Sequence, residues 1–350
     1  MWHKPDDKSA PKVYCKNEGE HGPALPADHI NPLAPDEALL LPVSANRLDS
    51  TPSVKQNKKM LRIPPRRLAF CGGGIRCVAH VGVLKAMQEA GLLTCVKEMI
   101  GVSAGALFAL LYVLGYSIDQ IEELALNFDF RILGDIDPED LLLFSVSLGL
   151  NSGDMLEKLV ASILHQKGFN KDVTFAEMAA RTNIAFRCYA TELQTSTIKE
   201  MSAAATPEML VSTAVRASMS LPIMYSPVPC GTTLLVDGGL LHNLPLVFLN
   251  QAEIADTWGV LFVSESKKVQ SIDSVVDFFK YIYDSVVKMR NLPCIEKYKE
   301  RLIVIESDDF SALNFGESKD TRADFIRRAE LATITFLNRR NRPRRRVSVS

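Results

Sequence analysis

The chain has no apolar run long enough to cross a bilayer. About 18 residues are needed, and the longest stretch, residues 104–115, falls short. The opening residues, MWHKPDDKSAPK, hold no apolar core of the kind a secretory signal needs. Seven cysteines are an odd number for a disulfide framework. No C-x-x-C pair occurs, which argues against a zinc cluster or thioredoxin-like motif. The expectation is reduced thiols in a cytosolic compartment. Net charge is also scarce, at −1 over 350 residues. With 47% hydrophobic and 23% charged residues, the composition excludes a wholly disordered chain, a collagen and a coiled coil.

The small net charge conceals a polarity. Residues 1–66 hold 10 Lys/Arg and 8 Asp/Glu, residues 67–338 hold 24 and 33, and residues 339–346 hold 6 Arg and no acid. Residues 1–66 also carry 10 of the 18 prolines, and their apolar residues follow no helical or strand period. Such a segment cannot bury enough surface to offset its ordering entropy. It reads as a mostly disordered leader, with an extended arm packed across the domain as the alternative. Residues 67–338 read as one acidic globular domain, and 339–350 as an Arg-rich tail.

Leu68-Ala69-Phe70 is a short apolar run that ends at Gly72-Gly73-Gly74, which reads as a buried strand entering a tight loop. The spacing of Val78, Val81, Leu84 and Met87 predicts a helix over 76–90, stopped by Gly91. A second strand runs to Val102. The uniformly apolar residues 104–114 then predict a helix buried on all sides. Further apolar runs at 184–189, 234–236, 259–263 and 302–305 alternate with helical patterns at 152–166, 206–218, 275–289 and 322–338. That alternation predicts an α/β domain with a mainly parallel, helix-covered sheet.

Gly101-Val102-Ser103-Ala104-Gly105 is a G-x-S-x-G with a strand before it and a helix after it. Small residues flank Ser103 because the backbone turns sharply there, and the helix N-terminus favours a developing alkoxide. Gly72, Gly73, Gly74 and Arg76 follow the neighbouring strand, so bare amides and a positive charge should converge beside Ser103, as an acyl oxyanion requires. The same loop could be read as a dinucleotide fingerprint, but its third glycine position holds Cys77. Asp237 follows a third apolar run, in Val236-Asp237-Gly238-Gly239, and is placed to reach the serine; a turn aspartate is the plainer reading. His242, five residues on, is an alternative base that no sequence feature selects. His80 reads as a packed or capping residue.

These residues resemble the patatin-like phospholipase family. The run from Gly72-Gly73-Gly74-Ile75-Arg76 to Gly82-Val83-Leu84 looks like its glycine-rich oxyanion motif. Gly101 to Gly105 looks like its nucleophile elbow, and Asp237-Gly238-Gly239, with Asn243 and Pro245, like its aspartate motif. Ala190-Thr191-Glu192-Leu193 and the stretch from Ala214 through Ser218 to Leu221-Pro222 also fit. The resemblance covers about residues 67–338. It implies a three-layer α/β/α fold and a serine–aspartate dyad without histidine, with Ser103 as nucleophile and Asp237 as base. It also implies a raised Asp237 pKa, calcium independence and no cofactor. Its implied substrate is a phospholipid or other glycerolipid, cleaved most simply as a phospholipase A. A transacylase with the same dyad and a catalytically idle lipid-binding scaffold are the rival readings. Cys77 departs from the family pattern, which usually has glycine there.

The acidic run Asp135-Ile136-Asp137-Pro138-Glu139-Asp140 lacks the glycine and final glutamate of a calcium loop and reads as solvated. The apolar segment 141–150 reads as core, or as a stretch that borders an acyl pocket or touches membrane. The Arg-rich tail suits anionic lipid, nuclear import or nucleic acid, and a solvated tail without partner fits equally. The overall expectation is a cytoplasmic hydrolase with a transient membrane contact.

Overall fold

The computed structural model describes residues 64–134, 138–264, 271–273, 275–308, 310 and 312–341. Residues 1–63 of the expected leader and 342–350 of the tail lie outside them, as do Asp135, Ile136 and Asp137 of the acidic run. Ten strands form among the described residues: β1 (Arg67–Phe70), β2 (Glu98–Val102), β3 (Gly149–Asn151), β4 (Ala185–Glu192), β5 (Thr197–Ser202), β6 (Ile223–Tyr225), β7 (Val228–Cys230), β8 (Thr233–Asp237), β9 (Thr257–Val263) and β10 (Leu302–Glu306). The helices are α1 (His80–Glu89), α2 (Ala104–Val113), α3 (Ile118–Asn127), α4 (Pro138–Ser147), α5 (Asp154–Gln166), α6 (Phe175–Ala179), α7 (Val211–Met219), α8 (Gln251–Ala255), α9 (Val275–Tyr298) and α10 (Lys319–Asn341).

Eight strands form one sheet in the order β10-β9-β1-β2-β4-β8-β7, with β5 also paired to β4. The five strands β10, β9, β1, β2 and β4 are parallel. β8, β7 and β5 add to that block as antiparallel pairs. Strands β3 and β6 form a separate parallel pair.

Two glycines mark the two faces of the sheet. Gly101 faces α2: a Cβ there would lie 2.3 Å from the Ala106 Cα. Gly259 is in register with Ala69 and through it with Ile100, of opposite parity to Gly101. Its Cβ would meet Leu246 at 2.5 Å, so the turn Pro245–Phe248 covers the other face. Helix α2 is apolar and buried on nearly every side, as its sequence predicts, because it packs between the sheet and other helices.

The rim where the strands begin is locked by charge. Arg67 and Arg187 both reach Glu98 at 2.7 Å, Arg187 reaches Glu253 at 2.9 Å, and Arg67 also pairs with Asp256. Helix α10 ends at this same rim, where Arg340 lies over the Trp258 ring near the start of β9 and donates to the Glu300 carbonyl. The described chain therefore ends across the sheet from the rim at which β2 delivers Ser103.

Some boundaries differ from the sequence reading. Residues Gly74–Ala79 form a 3₁₀ turn and the α-helix begins only at His80, because Gly74 enters with φ +55 and winds the chain tightly. Residues 206–210 are not helical, Leu210 forming a bridge with Thr174, and the helix that follows starts at Val211. In the segment 141–150, Leu143, Val146 and Leu148 are exposed, against the reading of this stretch as core.

Candidate active site

Strands β1 and β2 are parallel neighbours with Phe70 opposite Gly101, so both end at one rim. β1 delivers the loop Gly72-Gly73-Gly74, and β2 delivers Ser103. Ser103 caps α2 with φ 54 and ψ −139, outside the comfortable regions for a residue with a side chain. Such a backbone costs about 1–3 kcal/mol and holds only where surrounding contacts enforce it. Here the Ser103 amide donates to the Ser218 hydroxyl (2.9 Å), which donates to the Tyr189 carbonyl (2.7 Å). Ser218 thus ties the sharp turn to β4.

Asp237 reaches the same rim from the opposite direction. The sequence reading places it after an apolar strand of a mainly parallel sheet; β8 is one of the strands that runs antiparallel to its neighbour β4. Register resolves the difference. Tyr189 of β4 sits opposite Val102, and Ala190 sits opposite Asp237, so β8 meets the end of β2 along one edge of β4 and Asp237 comes level with Ser103. Its amide donates to the Ser220 carbonyl (2.8 Å). The end of α7 therefore steadies Ser103 through Ser218 and Asp237 through Ser220.

The Asp237 carboxyl is 1% exposed, whereas Ser103 is half-buried and reachable. Burial pushes the carboxyl pKa up to about 6, against hydrogen bonds from the Ser103 hydroxyl, the Gly239 amide (2.7 Å to Oδ1) and the Tyr283 hydroxyl (3.5 Å). Proximity to this carboxyl adds to burial in raising the Tyr283 hydroxyl pKa.

The glycine loop closes on the serine. A Cβ on Gly72 would stand 2.6 Å from the Ser103 Cβ and 2.5 Å from the Asn243 Oδ1. Asn243 in turn donates to the Gly72 carbonyl at 2.8 Å, fixing the loop against the segment after Asp237. The amides of Ile75 and Arg76 are taken by the Ala312 and Gly73 carbonyls. No turn, loop or cap hydrogen bond among the described residues uses the amides of Gly72, Gly73 or Gly74. Arg76 borders the same cleft and anchors its Nε on the Phe310 carbonyl (2.6 Å).

The cleft that joins these groups has an apolar wall from Leu107, Phe108, Leu133 and Leu156. His242 does not line it; its ring meets Phe248 edge-on, and burial with the nearby Arg290 lowers its pKa. His80 is buried, stacked 4.0 Å from Phe70 and bonded to the Cys71 carbonyl, in keeping with a packed residue. Cys77 is fully buried beneath the loop, its thiol donating to the Cys71 carbonyl, so it packs rather than crowding the helix start. The six cysteines among the described residues are free thiols. Among those residues no group of three or more His, Cys, Asp or Glu stands together as a metal site.

The sequence reading assigned no role to Ser218, Asn243, Tyr283 or Asn291. Ser218 and Asn243 stood inside motifs it had quoted. Tyr283 and Asn291 lie on α9, which α9's own pattern gives no reason to place beside Ser103.

The sequence model of the patatin-like phospholipase family matches residues 68–249, more than half the chain and including every residue of the loop, Ser103 and Asp237. The chain belongs to that family. This patatin-like chain is 28% identical over 268 residues to the uncharacterized protein R571 of Acanthamoeba polyphaga mimivirus, covering 74% of this chain and 89% of the relative. It is 27% identical over 249 residues to the lysophospholipase nte1 of Emericella nidulans, covering 69% of this chain but 15% of that longer protein. Among solved structures, VipD from Legionella pneumophila shares the fold at a TM-score of 0.55 and 16% identity, over 79% of this chain and 67% of that one. The protein is thus a patatin-like α/β enzyme of a lipid hydrolase family. No helix among the described residues is long and apolar enough to cross a membrane.

Proposed function

We propose that this patatin-like hydrolase cleaves fatty-acyl esters of glycerolipids, as a phospholipase A, through a Ser103–Asp237 dyad. The observation that carries the reading is the pairing of a reachable serine on a strained turn with a buried carboxyl of pKa about 6. Such a carboxyl is ionised at neutral pH yet basic enough to take a proton. Asp237 accepts the Ser103 proton as the hydroxyl oxygen bonds to the ester carbonyl carbon. The carbonyl oxygen gains charge, which the Gly72–Gly74 amides stabilise with Arg76 nearby. The ester C–O bond then breaks, and the leaving alkoxide takes the proton from Asp237. A water attacks the acyl-enzyme, gives its proton to Asp237, and the serine recovers it as the fatty acid leaves. No metal takes part in this sequence, and calcium independence is proposed with it.

The same reading includes a transient membrane contact. Of the exposed large apolar residues, Leu143, Val146 and Leu148 lie on or just after α4, and Phe278, Ile282, Val286, Met289 and Leu292 form one stripe on α9. The opposite side of α9, with Tyr283 and Val287, lines the cleft. Leu150, just after the first patch, and Phe279, on the helix that carries the second, border one small pocket. An apolar rim beside a lipid-ester cleft suits a bilayer surface.

The test is a panel of phospholipids and neutral glycerolipids given to wild type and Ser103→Ala without calcium. Fatty acid release by wild type alone is the expected result. Equal release by the variant, or a requirement for calcium, contradicts the proposal.

A further inference from the structure

Among the described residues, leaving aside Arg328, whose Nε meets Asp324, seven side chains hold a buried polar atom with no hydrogen-bond partner. Of these, only Asn291 borders the cleft of Ser103 and Asp237. Asn291 is 6% exposed, and its carboxamide Oδ1 is the unpaired atom. A buried acceptor left unpaired is costly, and native proteins keep few of them. One that borders a catalytic cleft is satisfied most simply by what the cleft binds.

The cleft itself says which part of a substrate that is. Its wall from α2, the turn Phe130–Leu133 and α5 is apolar, with Leu107, Phe108, Leu133 and Leu156, and suits the acyl chain. Polar groups gather elsewhere, at Arg76 and on α9, where Asp284 and Asn291 border the cleft two helical turns apart. A chain laid along the apolar wall with its carbonyl at Ser103 leaves its alcohol portion toward α9. Oδ1 accepts and cannot donate, so its partner must be a donor.

We propose that Asn291 is a specificity-determining residue that accepts a hydrogen bond from a hydroxyl or amino group on the leaving alcohol of the lipid ester. The proposal rests on the cleft being the lipid-ester site proposed above. A free glycerol hydroxyl or a headgroup amine supplies the same chemistry. A diacyl phosphatidylcholine supplies neither. A cleft that provides an acceptor discriminates against the analogue lacking the donor.

The experiment uses the full chain and two matched pairs: 1-acyl-lysophosphatidylcholine against its 2-deoxy counterpart, and phosphatidylethanolamine against phosphatidylcholine with the same acyl chains. Wild type should favour the donor-bearing member of at least one pair by about tenfold in kcat/KM. The pair that shows the preference identifies the donor as glycerol hydroxyl or headgroup amine. Asn291→Leu should lose the preference while keeping its rate on the 4-nitrophenyl ester of the same fatty acid, whose leaving group carries no donor. Asn291→Asp, which retains an acceptor oxygen, should keep the preference. No preference in wild type, a preference intact in Asn291→Leu, or an equal loss on every ester would overturn the assignment. If wild type and Ser103→Ala release fatty acid equally from all these lipids, the hydrolase reading fails instead, which keeps the two failures apart.

Discussion

Replacing Asp237 by Asn should abolish lipid hydrolysis and stabilise the fold, with a gain that grows as pH rises. Burial raises the Asp237 pKa from 3.8 to about 6 in the folded chain. Below pH 3.8 the carboxyl is protonated in both states and contributes little. Between 3.8 and 6 it ionises first in the unfolded chain, so wild-type stability falls. Above 6 both states are ionised and the native state carries the whole cost of a buried charge. A shift of about 2 pKa units corresponds to about 3 kcal/mol. Asn at 237 is neutral throughout and can still accept from the Gly239 amide. Urea unfolding of both proteins should therefore show the variant's advantage increasing by about 2 kcal/mol between pH 4.5 and pH 8. Over the same interval wild-type kcat/KM should rise, with a midpoint near pH 6, and the variant should lose about 10³-fold or more at pH 8. An advantage that is constant with pH, or that shrinks as pH rises, refutes the assignment of that buried charge to Asp237.

Three further outcomes follow from the site. Gly72→Ala places a methyl 2.6 Å from the Ser103 Cβ, so activity should fall at least about 10²-fold, the scale of a lost oxyanion donor; near-wild-type turnover would remove Gly72 from the proposed oxyanion site. Ser218→Ala leaves the Ser103 amide and the Tyr189 carbonyl without their shared partner. Unfolding measurements should show a loss of about 1–3 kcal/mol, with a lower kcat, and an unchanged kcat would mean that Ser218 supports only the fold. Leu143→Ser with Met289→Ser, both on exposed positions, should weaken sedimentation with anionic liposomes while leaving hydrolysis of a monomeric ester intact; unchanged sedimentation would reject this rim as the membrane contact.

Much of the fold was legible because its signals are local. The strands at 67–70, 98–102 and 257–263 are compact apolar runs, and α2 is greasy on all sides because it is buried on all sides. Strands β3, β6 and β7 have three residues each, too few to show a period. The direction of β8 has no sequence signal for a different reason. Its residues pattern as an apolar strand whichever way it runs, and only the connection through β7 turns it antiparallel. Ser103 and the glycine loop announced themselves through the turn chemistry their positions demand. Asp237 needed the resemblance, since an Asp-Gly pair also marks ordinary turns. Tyr283 and Asn291 carried no local signal, because their roles come from where a distant helix lands.

The most direct measurement of the central claim is labelling by a fluorophosphonate, with the modified residue located by peptide mass spectrometry. A single adduct on Ser103 is expected, formed more slowly in Asp237→Asn and at the wild-type rate in His242→Ala. An adduct on another residue, or labelling that depends on His242 and not on Asp237, would contradict the claim.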